Sequence, residues 1–153
     1  SLCMALEGGA SAAYPFNLGS YHRHLPHVNE QANLWFDRGI VWAMGFHHEE
    51  AIVCFTQALA ADPQCVLAHW GVAYCHGPNY NVHHSNGYYT ISAQEGGFPS
   101  QRIAFQEAQK AAAMVQASPD CVTAPERALV EALQLRYTWP PSAYAHTLAH
   151  AFT

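Results

Sequence analysis

Two histidines and two glutamates, His47 to Glu50, stand directly before an apolar run in the stretch GFHHEEAIVCF. Imidazole and carboxylate groups are ligands that zinc, copper and iron accept in proteins. Adjacent residues on a helix point in different directions, so a metal site here needs further ligands from elsewhere in the fold. The same four residues also fit the first turn of a helix, where the helix dipole favours glutamates. Both interpretations stay open at this point.

The elements that position this stretch follow from the spacing of the apolar residues. Helical periodicity predicts one helix within residues 28–46, with Gly45 as its stop, and a second helix over residues 49–62. A third helix is predicted to hold Pro63 in its first turn and to end at Gly77, where glycine accepts a left-handed cap. The connections between these helices are short, which predicts antiparallel neighbours.

The second half of the chain is predicted to be helical as well. Residues 79–99 carry turn signals and no apolar period, which predicts a long loop, and a helix resumes after it. Thr123 to Glu126 has the form of a capping box, and the helix that it opens is predicted to reach about Tyr137. Ser142 is predicted to cap a last helix. No stretch alternates with the period of two that a sheet requires, so the predicted fold class is all-α.

Residues 35–63 carry the pattern of a known helical repeat. The tetratricopeptide repeat has a period of about 34 residues and the pattern W-x2-L-G-x2-Y…A-x3-F…P. The matching residues, in order, are Trp35, Gly39, Trp42, Ala51, Phe55, Ala58 and Pro63. Arg38 stands where the pattern has leucine. The chain therefore resembles the tetratricopeptide repeat proteins. A diverged second unit follows, with His69, Val72, Ala73 and His76 in the places of its tryptophan, leucine, glycine and tyrosine.

Further segments resemble one bacterial and fungal branch of this superfamily, whose members are longer. They include NLGSYHR, ADPQCVLAHWGVAYCHGPNYN and APERALVEALQLRY, so the chain looks like the N-terminal part of such a protein. The resemblance implies a right-handed stack of antiparallel helix pairs, an α-solenoid, and implies no particular reaction. The expected parts are an extended segment over residues 1–27, two repeat-like pairs over 28–118 around the loop 79–99, and a third pair over 119–153.

The resemblance also implies a concave face that is lined by the first helix of each pair. Six residues are expected to point into this groove: Asn33, Phe36, Ile40, Met44, Trp70 and Tyr74. The set is largely apolar and aromatic, and it lacks the lysines with which some repeat proteins grip acidic tails. A hydrophobic peptide, or a helix from the same or another chain, fits such a groove better. The sequence predicts a scaffold that binds a protein or peptide partner and needs no cofactor.

A second interpretation makes the protein a metalloprotein, with or without catalytic activity. In stacked repeats the start of one second helix lies near the end of the next first helix, which brings His48 close to His76. Glu49 and a loop histidine, His84, complete the expected ligand set for zinc, copper or iron. Neither H-E-x-x-H nor H-x-x-E-H occurs. No nucleophile elbow or phosphate-binding loop occurs either, so no reaction is predicted and an enzyme is not the favoured interpretation.

Composition limits the partners and the compartment. The net charge is -5 and the 6 lysines and arginines are not clustered, so nucleic acid and anionic membranes are not expected partners. No apolar stretch reaches the roughly 18 residues that cross a bilayer, and the start of the chain lacks a basic secretory signal. The 5 cysteines include no C-x-x-C pair, and three fall on predicted helical faces, as small buried hydrophobes do. We expect a soluble, cytoplasmic protein.

The end of the chain predicts self-association. The helix predicted after Ser142 ends on Ala149, Ala151 and Phe152 without a polar cap, so an apolar end surface should remain after folding. Association through that surface gains about 25 cal/mol per Å2 of apolar area covered, against the entropy lost on docking. A dimer or larger assembly is expected, unless a following repeat of a longer protein covers the surface.

Overall fold

The fold is given by a computed structural model that describes residues 14–77 and 99–139. In that part of the chain the protein is all-helical, with five α-helices, one turn of 3-10 helix and no strand, which confirms the predicted all-α class. The α-helices are α1 (Glu30–Met44), α2 (His48–Ala61), α3 (Val66–His76), α4 (Pro99–Ala117) and α5 (Ala124–Arg136). Residues 79–98 of the predicted loop and the predicted last helix lie outside the described residues.

α1 begins near its predicted position because Asn29 caps it. The Asn29 side chain accepts a hydrogen bond from the Ala32 N–H at 2.9 Å, which satisfies one of the donors left free at a helix start. Its amide also donates to the Ala61 carbonyl at 2.8 Å, and its main-chain N–H donates to the Asp62 carboxylate at 3.1 Å. The start of α1 is thereby tied to the end of α2, which fixes the two helices as neighbours.

The capping box predicted at the start of α5 is confirmed. The Thr123 N–H donates to the Glu126 carboxylate at 2.6 Å, and the Glu126 N–H donates to the Thr123 hydroxyl at 3.4 Å. This reciprocal pair satisfies two donors at the helix start. The helix then reaches Arg136, with Tyr137 as its C-cap, so its end also agrees with the prediction.

The start and the end of α3 differ from the prediction. Pro63 lies in the turn before the helix, which begins only at Val66. Gly77 ends the helix as predicted, but its φ is -73° and it forms no left-handed cap. A glycine is needed there for another reason, because a Cβ at residue 77 would collide with the hydroxyl of Tyr137. The close approach of α5 to the end of α3, and not backbone conformation, therefore selects Gly77.

Each described helix packs against the next one along the chain. This includes α3 and α4, although the residues that connect them lie outside the described ranges. α1 also contacts α3, and α3 also contacts α5, whereas α2 and α4 share no contact in the described residues. Phe55 of α2 lies at the centre of the first three helices and is 0 % exposed. A Cβ at Gly39 of α1 would stand 2.5 Å from its ring, and a Cβ at Gly71 of α3 would stand 2.7 Å from it. The two glycines therefore allow α1 and α3 to enclose Phe55 from two sides.

Residues 14–28 contain no helix and run along α1. The Tyr14 ring packs edge-on to Trp35 at 5.5 Å between centroids, and its hydroxyl accepts a hydrogen bond from the Trp42 indole N–H at 2.7 Å. The Arg38 guanidinium lies 3.9 Å from the centroid of the Tyr14 ring and 4.5 Å from that of the Trp35 ring. Arg38 departs from the repeat pattern because it stacks on these rings by cation–π contacts instead of filling a helix interface.

Candidate functional site

Four rings from α3, the start of α2 and the turn before it form a continuous row, which we call the aromatic row: Trp70, Tyr74, His48 and Phe46. The ring centroids of Trp70 and Tyr74 are 5.2 Å apart, those of Tyr74 and His48 are 6.2 Å apart, and those of His48 and Phe46 are 6.4 Å apart. Successive rings are inclined by only 12° to 29°, which is typical of offset-stacked aromatic pairs. The row therefore joins α2 to α3 as one aromatic surface.

Phe46 is held outward by an unusual backbone conformation. It has a φ of 61°, in the left-handed region, and it is the one non-glycine residue with a positive φ among those that the structure describes. This conformation costs a residue with a Cβ about 1–2 kcal/mol. Gly45 would adopt it without that cost, yet its φ is -79°. Phe46 and Met44, the last residue of α1, are each 58 % exposed, so the strained turn presents two large apolar side chains.

Phe46→Asn is expected to leave the protein about 1 kcal/mol more stable than Phe46→Leu. Both substitutions remove the ring, but asparagine tolerates the left-handed conformation and leucine does not. Urea denaturation of the two variants, followed by circular dichroism, measures the difference in the free energy of unfolding. Equal stabilities would show that residue 46 stores no backbone strain.

The six residues predicted for the groove fall into two groups. Asn33 and Phe36 are 5 % and 1 % exposed, so they do not face an open groove. Phe36 packs against Phe55 at 5.7 Å between ring centroids, and Asn33 lies under residues 23–25, to which it is hydrogen-bonded. The other four residues are half-buried or exposed: Ile40, Met44, Trp70 and Tyr74. The accessible part of the predicted groove therefore coincides with the aromatic row and the end of α1.

One face of α1 also holds the main chain of the N-terminal segment. Asn33 accepts a hydrogen bond from the Leu25 N–H at 2.8 Å and donates one to the Arg23 carbonyl at 2.8 Å. Asp37, one turn further on, accepts a hydrogen bond from the Arg23 N–H at 3.1 Å. Met44 lies on the same face, seven residues beyond Asp37. This face thus combines an occupied contact for an extended chain with an exposed apolar end.

The structure describes three of the four expected metal ligands. His48 lies in the aromatic row. The imidazole of His76 interacts electrostatically with the carboxylate of Glu107 on α4. Glu49 is exposed, and His84 lies outside the described residues. Among the residues within the described ranges, no group of three or more His, Cys, Asp and Glu side chains could hold a metal ion.

His69 and Glu107 connect α3 to α4. The Nδ1 atom of His69 lies 2.6 Å from one carboxylate oxygen of Glu107, and Lys110 donates to the other oxygen at 2.6 Å. Burial raises the pKa of Glu107, but the hydrogen bonds from His69 and Lys110 outweigh it and hold the pKa below its ordinary value. Glu107 is therefore ionised at neutral pH and paired within the helix interface, which indicates a structural role.

Lowering the pH from about 7.5 to about 5 is expected to destabilise the wild type more than a His76→Gln variant. Burial lowers the pKa of His76 below its ordinary value of 6.5, and the negative charge of Glu107 only partly opposes this effect. Below pH 6.5 the unfolded chain therefore takes up this proton before the folded chain does, so stability present above pH 6.5 is lost as the pH falls towards the folded pKa. Urea denaturation at both pH values measures the two losses. An equal loss in the two proteins would contradict the burial of a neutral His76.

Three cysteines are buried, as the sequence predicts: Cys54, Cys65 and Cys75. Burial raises the pKa of Cys65 and of Cys75 to about 12. Burial also raises the pKa of Cys54. Because the thiolate is the reactive form of cysteine, these three side chains do not provide a nucleophile near neutral pH.

Comparison of the chain with protein-family models, with curated proteins and with solved structures finds no match. The resemblance to tetratricopeptide repeats therefore rests on the sequence patterns alone, of which that of residues 35–63 is the most complete. Within the described residues, no helix combines the length and the apolar character that crossing a membrane requires.

Three residues of this region were not singled out by the sequence pattern: Leu25, Asp37 and Phe46. Asp37 could have been identified from the sequence, because it is a second polar residue one helical turn after Asn33 on the predicted groove face. Leu25 could also have been identified, as an apolar residue within the polar stretch YHRHLPH. Phe46 could not, because the sequence does not reveal which residue of a Gly-Phe pair adopts the left-handed conformation.

Proposed function

We propose that the chain is a tetratricopeptide-like scaffold that binds an extended segment of a partner protein along α1 and the aromatic row. The helix contacts support a repeat arrangement, because α1 contacts α3 and α3 contacts α5, as the first helices of successive pairs would. In a repeat stack each unit contacts only its neighbours. Phe55 occupies the phenylalanine position of the repeat pattern and packs between two such first helices.

The observation that carries the proposal is the accessible aromatic row, with the strained and exposed Phe46 at one end. Aromatic side chains and methionine are enriched at the centres of protein interfaces. Backbone strain is concentrated at functional sites, where the surrounding structure must maintain it. Phe46 and Met44 together place large apolar side chains in solvent at the end of the α1 face. A partner that covers them gains apolar contact without any rearrangement of the helices.

The charges around the aromatic row select among partner segments. Glu49 and Glu50 lie in the first turn of α2, directly after the ring of His48, and the whole chain has a net charge of -5. An acidic segment would be repelled here, whereas an apolar segment with neutral or basic flanks is complementary. An extended conformation fits best, because the same face of α1 already holds an extended stretch of this chain.

Peptides selected by display on the wild-type protein are expected to bind at least tenfold more weakly to Phe46→Asn and to Met44→Gln. Each substitution removes an exposed apolar side chain that the partner covers, and a central interface residue contributes roughly 1–2 kcal/mol or more. Fluorescence anisotropy of a labelled peptide measures the two affinities. Leu135 on α5 is 90 % exposed, so Leu135→Gln is the matched control and should change the affinity less than twofold. Unchanged binding to both Phe46 and Met44 variants would contradict the proposal.

A metal site is the second candidate, because one observation favours it. The Nδ1 atom of His48 is buried and has no hydrogen-bond partner among the described residues, and a buried polar atom without a partner is costly. Zinc, copper or iron bound to His48, with Glu49, His76 or His84 as further ligands, would satisfy this nitrogen. Elemental analysis of untagged protein tests it, and less than about a tenth of an equivalent of any transition metal after reconstitution would contradict it.

Self-association through the predicted last helix is a separate proposal, since that helix lies outside the described residues. Light scattering at micromolar concentration is expected to show a dimer or a larger assembly. A stable, non-aggregating monomer would contradict it.

A further inference from the structure

Residues 20–28, which we call the strap, are held mainly through their main chain. Three hydrogen bonds to α1 join a side chain of α1 to a main-chain atom of Arg23 or Leu25. Asn33 supplies two of these bonds through one amide group, as acceptor and as donor, and Asp37 supplies the third. Every residue except proline offers the same main-chain groups. The contact is therefore one that any extended segment can make.

Two side chains of the strap add selectivity to this main-chain contact. Leu25 is 1 % exposed and belongs to the same core cluster as Phe36 and Leu67. The Nδ1 atom of His22 lies 2.8 Å from the Asp37 carboxylate. Lifting the strap would expose the apolar surface under Leu25 and leave Asp37 with only its hydrogen bond from Asn33 among the bonds within the described residues. A competing segment must therefore supply an apolar side chain and, three residues before it, an imidazole or a cationic side chain.

The strap is bounded by points at which the chain can bend. Gly19 precedes it with a φ of 76°, and no atom lies within 4 Å of the position of a Cβ there. A turn closes its other end, where the Val28 N–H donates to the Leu25 carbonyl at 3.3 Å. A cavity of about 300 Å3 lies between part of α1 and residues 14–21. The side chain of His22 is 65 % exposed. Besides Leu25 and the three main-chain bonds, the strap is held by the contact of His22 with Asp37 and by the packing of Val28 against the core.

We infer that the strap is an internal occupant of a peptide-binding site on α1, and that partner segments bind there by replacing it. The inference rests on the proposed function and extends the binding surface from the aromatic row to Asn33 and Asp37 along the same helix face. The partner segment is extended and carries a leucine or a similar apolar residue three positions after a histidine, lysine or arginine. Asn33 and Asp37 form hydrogen bonds with its main chain. The pocket under Leu25 holds its apolar side chain, and the Asp37 carboxylate pairs with its cation.

Competition between the strap and a synthetic copy of it tests the inference on the full chain. The probe is the fluorescein-labelled peptide SYHRHLPHV, the sequence of residues 20–28. Arg23→Pro in the protein removes the N–H that donates to Asp37, and so weakens the internal strap without touching α1. The probe is expected to bind this variant about tenfold more tightly than the wild type, the effect of one hydrogen bond to a charged group. Addition of Asn33→Ala to the same variant should reverse that gain.

A probe with aspartate in place of its leucine is the matched control peptide and should not bind at the same concentrations. Equal affinity of the SYHRHLPHV probe for the wild type and for Arg23→Pro, or unchanged binding after Asn33→Ala, would overturn the inference. The proposed function would survive that result if display-selected peptides still lost affinity with Phe46→Asn. If neither Phe46→Asn nor Asn33→Ala changed the affinity for these peptides, both the inference and the proposed function would be overturned.

A measurement on the wild-type protein decides the matter if Arg23→Pro does not fold. Amide hydrogen exchange of isotope-labelled protein reports the internal strap alone, because the probe is unlabelled. The Leu25 amide, which donates to Asn33, should exchange at least fivefold faster at millimolar probe, while amides in the middle of α1 should not change. An unchanged exchange rate of the Leu25 amide would show that the strap is not displaced.

Discussion

Gly39→Ala and Gly71→Ala are each expected to lower the free energy of unfolding by about 2 kcal/mol. An added Cβ would stand 2.5 Å from the Phe55 ring at position 39 and 2.7 Å from it at position 71. Phe55 is 0 % exposed, and the ring cannot retreat from one helix without approaching the other. Alanine is the better helix former by about 1 kcal/mol, so a net loss of stability would identify the close contact as its cause.

Gly45→Ala is the matched control for these two variants. The nearest atom to a Cβ at this position is the Val41 carbonyl oxygen at 3.4 Å, and the φ of -79° suits any residue. The change in stability should stay within about 0.5 kcal/mol. Phe55→Leu removes the ring atoms nearest to Gly39, so the double variant Gly39→Ala/Phe55→Leu should be more stable than the sum of the single losses predicts. Additive losses would show that the ring and the glycine do not meet.

Asn33→Ala is expected to lower the free energy of unfolding by about 2–3 kcal/mol, because it leaves two main-chain groups without partners. The Leu25 N–H and the Arg23 carbonyl both bond to the Asn33 amide, and Leu25 is 1 % exposed. Water therefore cannot fully replace the lost partner while the strap stays in place. Urea denaturation measures the loss of stability, and hydrogen exchange of the Leu25 amide shows whether the strap is released.

Asn17→Ala is the control for the loss of an asparagine side-chain bond. Asn17 accepts a hydrogen bond from the Gly19 N–H at 3.0 Å in an exposed setting, where water can take its place. Its removal should therefore cost less than about 0.5 kcal/mol. If Asn33→Ala cost no more than this control, the main-chain contacts between α1 and the strap would contribute nothing to stability.

Helix positions could be predicted from the sequence because periodicity and caps are local properties. The capping box at Thr123 and the glycine that follows α1 both mark their helix ends correctly. Gly39 was singled out as the glycine of the repeat pattern. Gly71 was not, since its contact is with Phe55 of the preceding helix and not with its own repeat partner. Contacts between units depend on how the helices stack, and the local pattern does not contain that information.

The candidate site could be predicted only in part for the same reason. The repeat resemblance placed Met44, Trp70 and Tyr74 on one expected surface, and the structure keeps all three at least partly accessible. Asn33 and Phe36 were expected on the same surface but are buried, Phe36 against Phe55 and Asn33 under the segment that precedes α1. The return of that segment depends on individual hydrogen bonds and on one leucine, which no periodicity reveals. The strain at Phe46 is likewise a property of the folded turn.

The central claim, that a protein segment binds along α1 and the aromatic row, is tested most directly by nuclear magnetic resonance. The isotope-labelled full chain is titrated with a display-selected peptide, and shifts of its amide signals and of the Trp70 indole N–H signal are mapped onto the structure. We expect the largest shifts at Met44, Phe46, His48, Trp70 and Tyr74. Shifts centred on α5 around Leu135, with these five residues unchanged, would contradict the claim.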